Sequence, residues 1–440
     1  MSFSVAHAQG LGNSPYSSLG FGEPAYENGS ILNTGMGNAG VAVRHHHFIN
    51  FLNPACLANN PRIRIDSLAK LDFAMISQRK NISIQNVKET TGGINLSYIA
   101  IGLPLSKIWG SAFGFRPFST VQYNYSYQLP VTGDTTTTVT YKNTSSGGIY
   151  KLFFSNGFGI TKNITFGVET SYLFGNINNK IMANIPSTGT FLNGFRIVHR
   201  HTGIEMKPGI RYRAELFKKI KDSSIYKKLN LSGTTSKTKR ISKGWFLNLA
   251  ATYDYFTPIK RTTETFLYNE TDKNVLLNDT LVSSISQNVQ FAQGIRTGFS
   301  IEKPMLFCFA ADFSYYPWSV YKPDSYTSSR NIYCFYAGAE YSPNGQKSNR
   351  AKTYRIGFNY VQLPFLTSQG YTTTDMNVSA GITVPFGKRP AYWFPVLPKF
   401  NVAIVAGQRK ASSSYINEKY LKLCFSLLIS EKWFTVPKFN

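Results

Sequence analysis

A two-residue alternation of apolar and polar side chains runs through most of this chain and restricts what it can fold into. From 305 to 315 the odd positions read Met305, Phe307, Phe309, Ala311, Phe313 and Tyr315, while Cys308, Ala310, Asp312 and Ser314 fall between them. The same period sets Met376, Val378, Ala380, Ile382 and Val384 against Asp375, Asn377, Ser379, Gly381 and Thr383. It sets Leu421, Leu423, Phe425, Leu427 and Ile429 against Lys422, Cys424 and Ser426, and Ile204, Met206, Ile210 and Tyr212 against Glu205, Lys207, Arg211 and Arg213. Successive side chains of a strand point to opposite faces, so each segment has one greasy and one polar face. A soluble sandwich can also turn charges outward. It would not combine that pattern with so few charged residues, 16% against 15% aromatic, where about a quarter charged is usual. No apolar run approaches the roughly 18 residues of a membrane helix. A membrane β-barrel, with its greasy face to lipid and its polar face to the lumen, satisfies all of this.

Fourteen strands are expected, at 69–79, 92–104, 109–127, 148–161, 164–175, 193–215, 244–268, 289–302, 305–316, 331–342, 352–362, 374–386, 398–409 and 418–430. The number is even, as bacterial barrels require. Short turns near 105–107, 161–163 and 303–304 go to the periplasmic side, and longer polar stretches at 130–147, 176–192, 269–287 and 317–330 to the outside. With the first strand rising from the periplasm, both chain termini are periplasmic. The basic connection 217–243 is the exception, a long periplasmic insertion that blurs the register over 193–257.

Ala6-His7-Ala8 before Gln9 has the small-x-small form of a signal-peptidase site, so residues 1–8 read as the remnant of a signal peptide. Export to the bacterial outer membrane is the expectation. Residues 9–68 are glycine-rich and unpatterned, and are expected to fold inside the 69–440 barrel as a plug. Gly35, Gly37 and Gly40 allow backbone conformations and close approaches that side chains forbid. Pro54 fixes a bend, and the Asn53 side chain can bond to nearby backbone ahead of Ala55. Two readings stay open: a plug that moves to clear a path, and a rigid one in a non-conducting scaffold.

The stretches "GMGNAGVAV" and "NFLNPACLA", within a frame from "NSPYSSLGFGE" at 13–23 to "SEKWFTVPKF" at the end of the chain, resemble the FadL-like long-chain fatty acid transporters of the outer membrane, in a Bacteroidetes-type branch. The resemblance implies a barrel of fourteen strands around an N-terminal plug. It marks a fold better than a substrate.

Glu169, Glu205, Lys207, Arg211, Arg213, Asp254, Arg296, Asp312, Glu340 and Arg355 fall on polar faces and are expected to charge the lumen. Buried there, they need partners or water. Arg211 or Arg296 is a candidate for a carboxylate-bearing ligand, and Phe118, Phe153 and Leu428 for a local apolar pocket. Of His45, His46 and His47, at most two can share a site on an extended chain, with no carboxylate or cysteine at ligand spacing, so no metal is expected. Cys308 and Cys334 sit on adjacent strands and can face each other; with Cys56 and Cys424 they are read mainly as free buried thiols. No Gly-x-Ser-x-Gly elbow, P-loop or His-Glu-x-x-His motif occurs, and neither an enzyme nor a cofactor is expected.

A net charge of +25 calls for a negative neighbour. Nine Lys and Arg residues crowd 217–243, where anionic lipid heads, a periplasmic partner or water can meet them. Nucleic acid is rejected, since the charges are not interleaved with aromatics and export removes the protein from it. Two functions result. One is diffusion of a hydrophobic or amphipathic small molecule across the outer membrane, amid lipid and lipopolysaccharide. The other, which the resemblance to FadL-like barrels implies, is a non-transporting adaptor or scaffold for protein secretion of the type IX kind or for envelope complexes.

Overall fold

The computed structural model describes residues 11–431 and 433, apart from 19, 26–28, 46–47, 59–67, 85–86, 132–133, 185–190, 217–243, 272–275, 323–328, 344–349, 367–369, 388–395, 412–415 and 432. The expected signal-peptide remnant at 1–8, His46, His47 and the basic connection 217–243 therefore lie outside the described residues.

Fourteen antiparallel wall strands form a closed barrel. They are β1 (Ala69–Ile84), β2 (Val87–Pro104), β3 (Trp109–Val131), β4 (Asp134–Gly159), β5 (Ile164–Asn184) and β6 (Phe191–Glu215). Next come β7 (Phe246–Phe256, continued by Ile259–Thr271), β8 (Leu276–Val289, continued by Gly294–Lys303), β9 (Phe307–Tyr316) and β10 (Ile332–Tyr341). The last are β11 (Thr353–Gln362), β12 (Thr373–Pro385), β13 (Lys399–Ala411) and β14 (Ile416–Glu431). β14 pairs with β1 from Ile416↔Ile84 to Glu431↔Ala69, which leaves no free sheet edge. Among the described residues no helix is long and apolar enough to cross a membrane.

The alternation maps onto the two faces as expected. Ile204, Met206, Ile210 and Tyr212 are outward and 41–48% exposed, while Glu205, Lys207 and Arg211 between them are buried. Leu249, Phe299, Phe313, Phe335, Ile356, Val378 and Leu421 continue the apolar belt around the outside. A continuous apolar surface of this extent belongs against lipid. Stacked aromatics mark its borders, with Trp109 on Phe158 (5.5 Å) near one rim and Tyr127 on Tyr141 (5.4 Å) toward the other.

Three expectations are corrected. The polar stretches 130–147, 176–192 and 269–287 are largely strand: β3 and β4 pair out to Val131↔Asp134, β5 runs to Asn184, and Leu276–Val289 pairs with Ile259–Thr271. Polar residues extend these hairpins where no lipid demands alternation, so short joints occur at both ends of the barrel. Cys308 is paired with Glu340 and Cys334 with Ser314, so the two thiols are offset along the strands, and all four cysteines are buried thiols outside any disulfide, as the main reading had them. Burial pushes the Cys56 thiol up to about 11. The third correction concerns the N-terminal region. Gly12 lies against Gly92, and the Tyr16 hydroxyl donates to the Ile416 carbonyl at 2.8 Å, at the end of the barrel opposite Ala69 and Glu431. The first described residues thus start at the far mouth, and the chain descends the bore to enter β1 at the near one.

Two wall strands break side by side, β7 at Thr257–Pro258 and β8 at 290–293. Pro258 has no N–H to give the ladder, and Thr257 bonds sideways to the Ile204 carbonyl at 3.0 Å. The break turns Phe256, Ile259, Val289, Phe291 and Ala292 inward, all buried.

Candidate functional site: a filled bore

Residues 11–58 meet the inner face of the wall at successive levels, and the chemistry changes from one level to the next. At the far mouth Phe21 is fully buried at the centre of an aromatic cluster. Its ring lies 5.9 Å from Phe118, 5.2 Å from Phe291, 5.0 Å from Trp318, 5.5 Å from Tyr321 and 5.0 Å from Phe365, in tilted, stacked and edge-on pairs. Edge-to-face and offset pairs add to the burial of such rings. Trp318 and Tyr321 come from the stretch expected to be a polar loop, and the wall break supplies Phe291.

The next level is ionic. Glu23 accepts from Lys80 at 2.6 Å and from Arg409 at 2.7 Å, and Arg409 also binds Asp375 (2.7 Å) and Glu418 (3.3 Å). Ser14 donates to the other Glu418 oxygen at 2.7 Å. Burial works to raise the Glu23 carboxyl, but the guanidinium and ammonium beside it prevail and hold it well below the usual carboxylate range. A second cluster lies within the wall: Lys151 reaches Glu169 (2.7 Å) and Glu205 (2.5 Å), Lys207 reaches Asp254 (2.9 Å), and Arg116 stands 3.7 Å from Glu169. Three carboxylates there face three cations, so the group is neutral as a whole.

Mid-bore, the Gly-Met-Gly stretch follows a short helix, Ile31–Gly35, and is clamped by the wall. The Gly40 and Val41 amides donate to Asp312 Oδ2 at 2.8 and 2.9 Å, and Arg296 donates to the same carboxylate at 3.0 Å. Arg296 also donates to the Asn38 carbonyl and lies 4.2 Å over the Tyr336 ring. Arg211 donates to the Ala42 carbonyl at 2.9 Å and to Asn248 at 2.6 Å. Gly37 has φ +66°, and a Cβ there would lie 2.5 Å from Phe358 N. The fit is mutual, because a Cβ on wall residue Gly357 would lie 2.0 Å from Gly37 N.

Lower still, Asn53 closes the Asn-Pro-Ala turn. Its Oδ1 accepts from the Ala55 amide at 2.9 Å, while Nδ2 donates to the carbonyls of Val41 (3.0 Å) and of wall residue Ile210 (3.3 Å). The turn lies on wall glycines: a Cβ at Gly167 would come within 2.4 Å of Pro54 C, and one at Gly209 within 2.2 Å of Asn53 Oδ1.

All six residues singled out in the segment, Gly35, Gly37, Gly40, Asn53, Pro54 and Ala55, are thus buried in the bore. Asp312, Arg296 and Arg211 bind the segment's backbone directly, and the Arg355 side chain stands 3.5 Å from where a Gly35 Cβ would be. Glu205 is placed apart, in the wall cluster. Phe118, Phe153 and Leu428 do not meet; they belong to three separate apolar clusters. His45 stands 3.9 Å from Glu340, and no group able to hold a metal occurs among the described residues. The sequence reading missed the Glu23 cluster and the aromatic lid. The signals were Glu23 itself, one of two carboxylates, with Glu27, in residues 9–58, and the pair Trp318 and Tyr321 in a largely polar stretch.

A closed fourteen-strand wall with residues 11–58 against its inner face has the fold of the FadL-type barrels. Solved structures of the same fold include the CymD monoaromatic hydrocarbon channel, at 12% identity over 92% of this chain and 97% of that one, TM-score 0.54. The Ralstonia pickettii toluene transporter TbuX matches at 12% identity over 92% and 99%, TM-score 0.53, and a Pseudomonas aeruginosa FadL homologue at 10% identity over 92% and 98%, TM-score 0.54. No curated protein matches the sequence. The family model BamG matches residues 1–440, and the chain belongs to the BamG family.

Proposed function

We propose that this protein is a non-conducting barrel of the bacterial outer membrane, with residues 11–58 as a fixed plug, and that it serves as a scaffold subunit of an envelope protein assembly. The observation that carries this is the filling of the bore. Ligand pockets usually hold about 300–1,000 Å³, whereas the cavities between segment and wall hold 110, 70 and 120 Å³. The lumen charges described above are consumed in pairs or spent on the segment's own backbone. Moving the plug would break the Glu23 and Asp312 clusters together, and parting one member of a buried pair costs about 3–5 kcal/mol.

The runner-up is passage of a hydrophobic small molecule, favoured by the fold shared with CymD and TbuX. The two readings separate in reconstituted protein. A scaffold gives no channel events in planar bilayers and no toluene uptake into proteoliposomes above protein-free vesicles, and it purifies from gently solubilised outer membranes as a stoichiometric complex. Toluene uptake that saturates and depends on the protein would overturn the scaffold reading.

A further inference from the structure

The strands on one side of the barrel are far longer than a bilayer needs. β3, β4, β5 and β6 run for 23, 26, 21 and 25 residues, where about 10 residues cross a membrane. Their polarity reverses as they pass the apolar belt. Within the belt the register sets Phe115, Leu152, Tyr172 and Ile204 in one outward row across the four strands, and Ser155, Glu169 and Lys207 in an inward one. Past the far rim the outward row is Asn124, Thr144, Lys180 and Arg196. The inward row at that height is Tyr125, Asn143, Ile181 and Phe195, continued by Leu267 of β7. It is inward because Val121, Ile149 and Ile177, at the same alternation on β3, β4 and β5, are buried in the aromatic lid. Tyr125, Ile181, Phe195 and Leu267 are nonetheless 49, 38, 48 and 43% exposed. Leu129 widens this face along β3, and Ile285 of β8 lies in one row with Ile177 through His199 and Thr263. Together these side chains bare on the order of 500 Å² of apolar surface, as much as the largest patch on a typical monomer. Asn143 is 9% exposed within the row, and its Oδ1 has no hydrogen-bond partner among the described residues. A buried acceptor left in that state is costly.

We infer that this face seats a polypeptide partner on the far side of the membrane, through an apolar and aromatic surface of that partner which also donates an N–H or O–H to Asn143. The inference rests on the scaffold reading and names the surface such a subunit would offer. Lipid is not the occupant, because the backs of β3 to β6 are polar and charged at this height. Area separates the other occupants. About 500 Å² is most of the roughly 800 Å² that one side of a standard protein interface buries, and a toluene-sized molecule would cover little of it. A saccharide would leave Ile181, Phe195 and Leu267 against hydroxyls that they cannot bond.

The test places the photoreactive residue p-benzoylphenylalanine, one position at a time, in the full chain in living cells, and identifies the adducts by mass spectrometry. Tyr125, Ile181 and Phe195 are replaced on the inward face; Ser126 and Arg200, exposed on the backs of β3 and β6, are the controls. The three inward positions should give one and the same polypeptide adduct, at about tenfold higher yield than either control. With the probe at Ile181 and yields scaled to the folded, heat-modifiable band, Phe195→Glu should lower the adduct about tenfold and Phe195→Leu less than twofold. Asn143→Leu should lower it about fivefold, the worth of one hydrogen bond. Equal yields from the two faces, no polypeptide adduct, an adduct with lipopolysaccharide alone, or an adduct with a second copy of this chain would each overturn the inference. Channel activity, measured separately, reports on the scaffold reading. A conducting barrel with the one-sided adduct loses the scaffold and keeps the docking face, whereas a silent barrel without the adduct does the reverse.

Discussion

At the residue scale, the segment is held by backbone that side chains would displace. Gly37 and Gly35 differ in a way that can be measured. Gly37 combines φ +66° with a Cβ position 2.5 Å from Phe358 backbone, whereas Gly35 has no positive φ and its nearest neighbour would be Gly381 Cα at 3.2 Å. Gly37→Ala should therefore displace the segment from the wall, and Gly35→Ala should need only a small adjustment. Heat-modifiable gel mobility, read as the temperature at which the folded band is lost, should fall clearly for the first and little for the second. Asp312 allows a second test. Removing its carboxylate leaves Arg296 buried and two amides without an acceptor, a loss of about 3–5 kcal/mol, while removing both Asp312 and Arg296 should cost less than the two single losses together. Urea unfolding of the two alanine variants and the double variant in detergent checks this, and additive losses would mean that the two side chains act separately. The importance of glycine and of Asn-Pro-Ala was legible in the sequence because only conformation and short-range bonding were needed. The identity of their partners was not, since Asp312 and Ile210 are brought to them by the closure of the wall.

At the element scale, alternation foretold all fourteen strands. It could not foretell what the inward face meets. On β14 the outward residues Leu421 and Leu423 are 52% and 39% exposed, and Phe425 lies on the same face. Phe425→Lys should cost about 2–4 kcal/mol as a charge facing the middle of the bilayer. A polar lumen would make Ser426→Lys the mild change by comparison. The filled bore reverses that expectation: Ser426 is 1% exposed and accepts from Asn401 Nδ2 at 2.9 Å, so a lysine there has no room, even with the buried Asp72 carboxylate beside it. Both variants should assemble poorly in outer-membrane fractions, and Ser426→Ala should assemble nearly as wild type. Efficient assembly of Ser426→Lys would mean that the bore near β14 is wet. The strand ends were the other illegible feature. Where β3, β4 and β5 outrun the apolar belt, polar residues pair as strands without alternating, and they look like loops to any reading based on period.

At the scale of the whole molecule, wall and segment contribute differently to closure, and deletion can separate them. The wall satisfies its own hydrogen bonds through the β14–β1 seam, so a chain lacking residues 11–61 should still assemble as a barrel and shift on a gel when heated. Its bore would lose Phe21, Glu23 and the Gly-Met-Gly clamp together, leaving Lys80, Arg409, Glu418 and Asp375 to be solvated. Water entering that space should give ion conductance in planar bilayers and make cells sensitive to large hydrophilic antibiotics. A point change at one level should not do the same. Phe21→Ala opens the aromatic cluster, at a cost of about 3–5 kcal/mol for a buried ring, yet the ionic level and the Asn-Pro-Ala turn still fill the bore beneath it. That variant should be less stable and remain silent in the bilayer. Conductance from Phe21→Ala alone would place the whole barrier at the far mouth, and the passage of hydrophobic molecules would then become the better account of this barrel. A deletion lacking residues 11–61 that assembles and stays silent would instead show that the wall closes the bore without help from the segment.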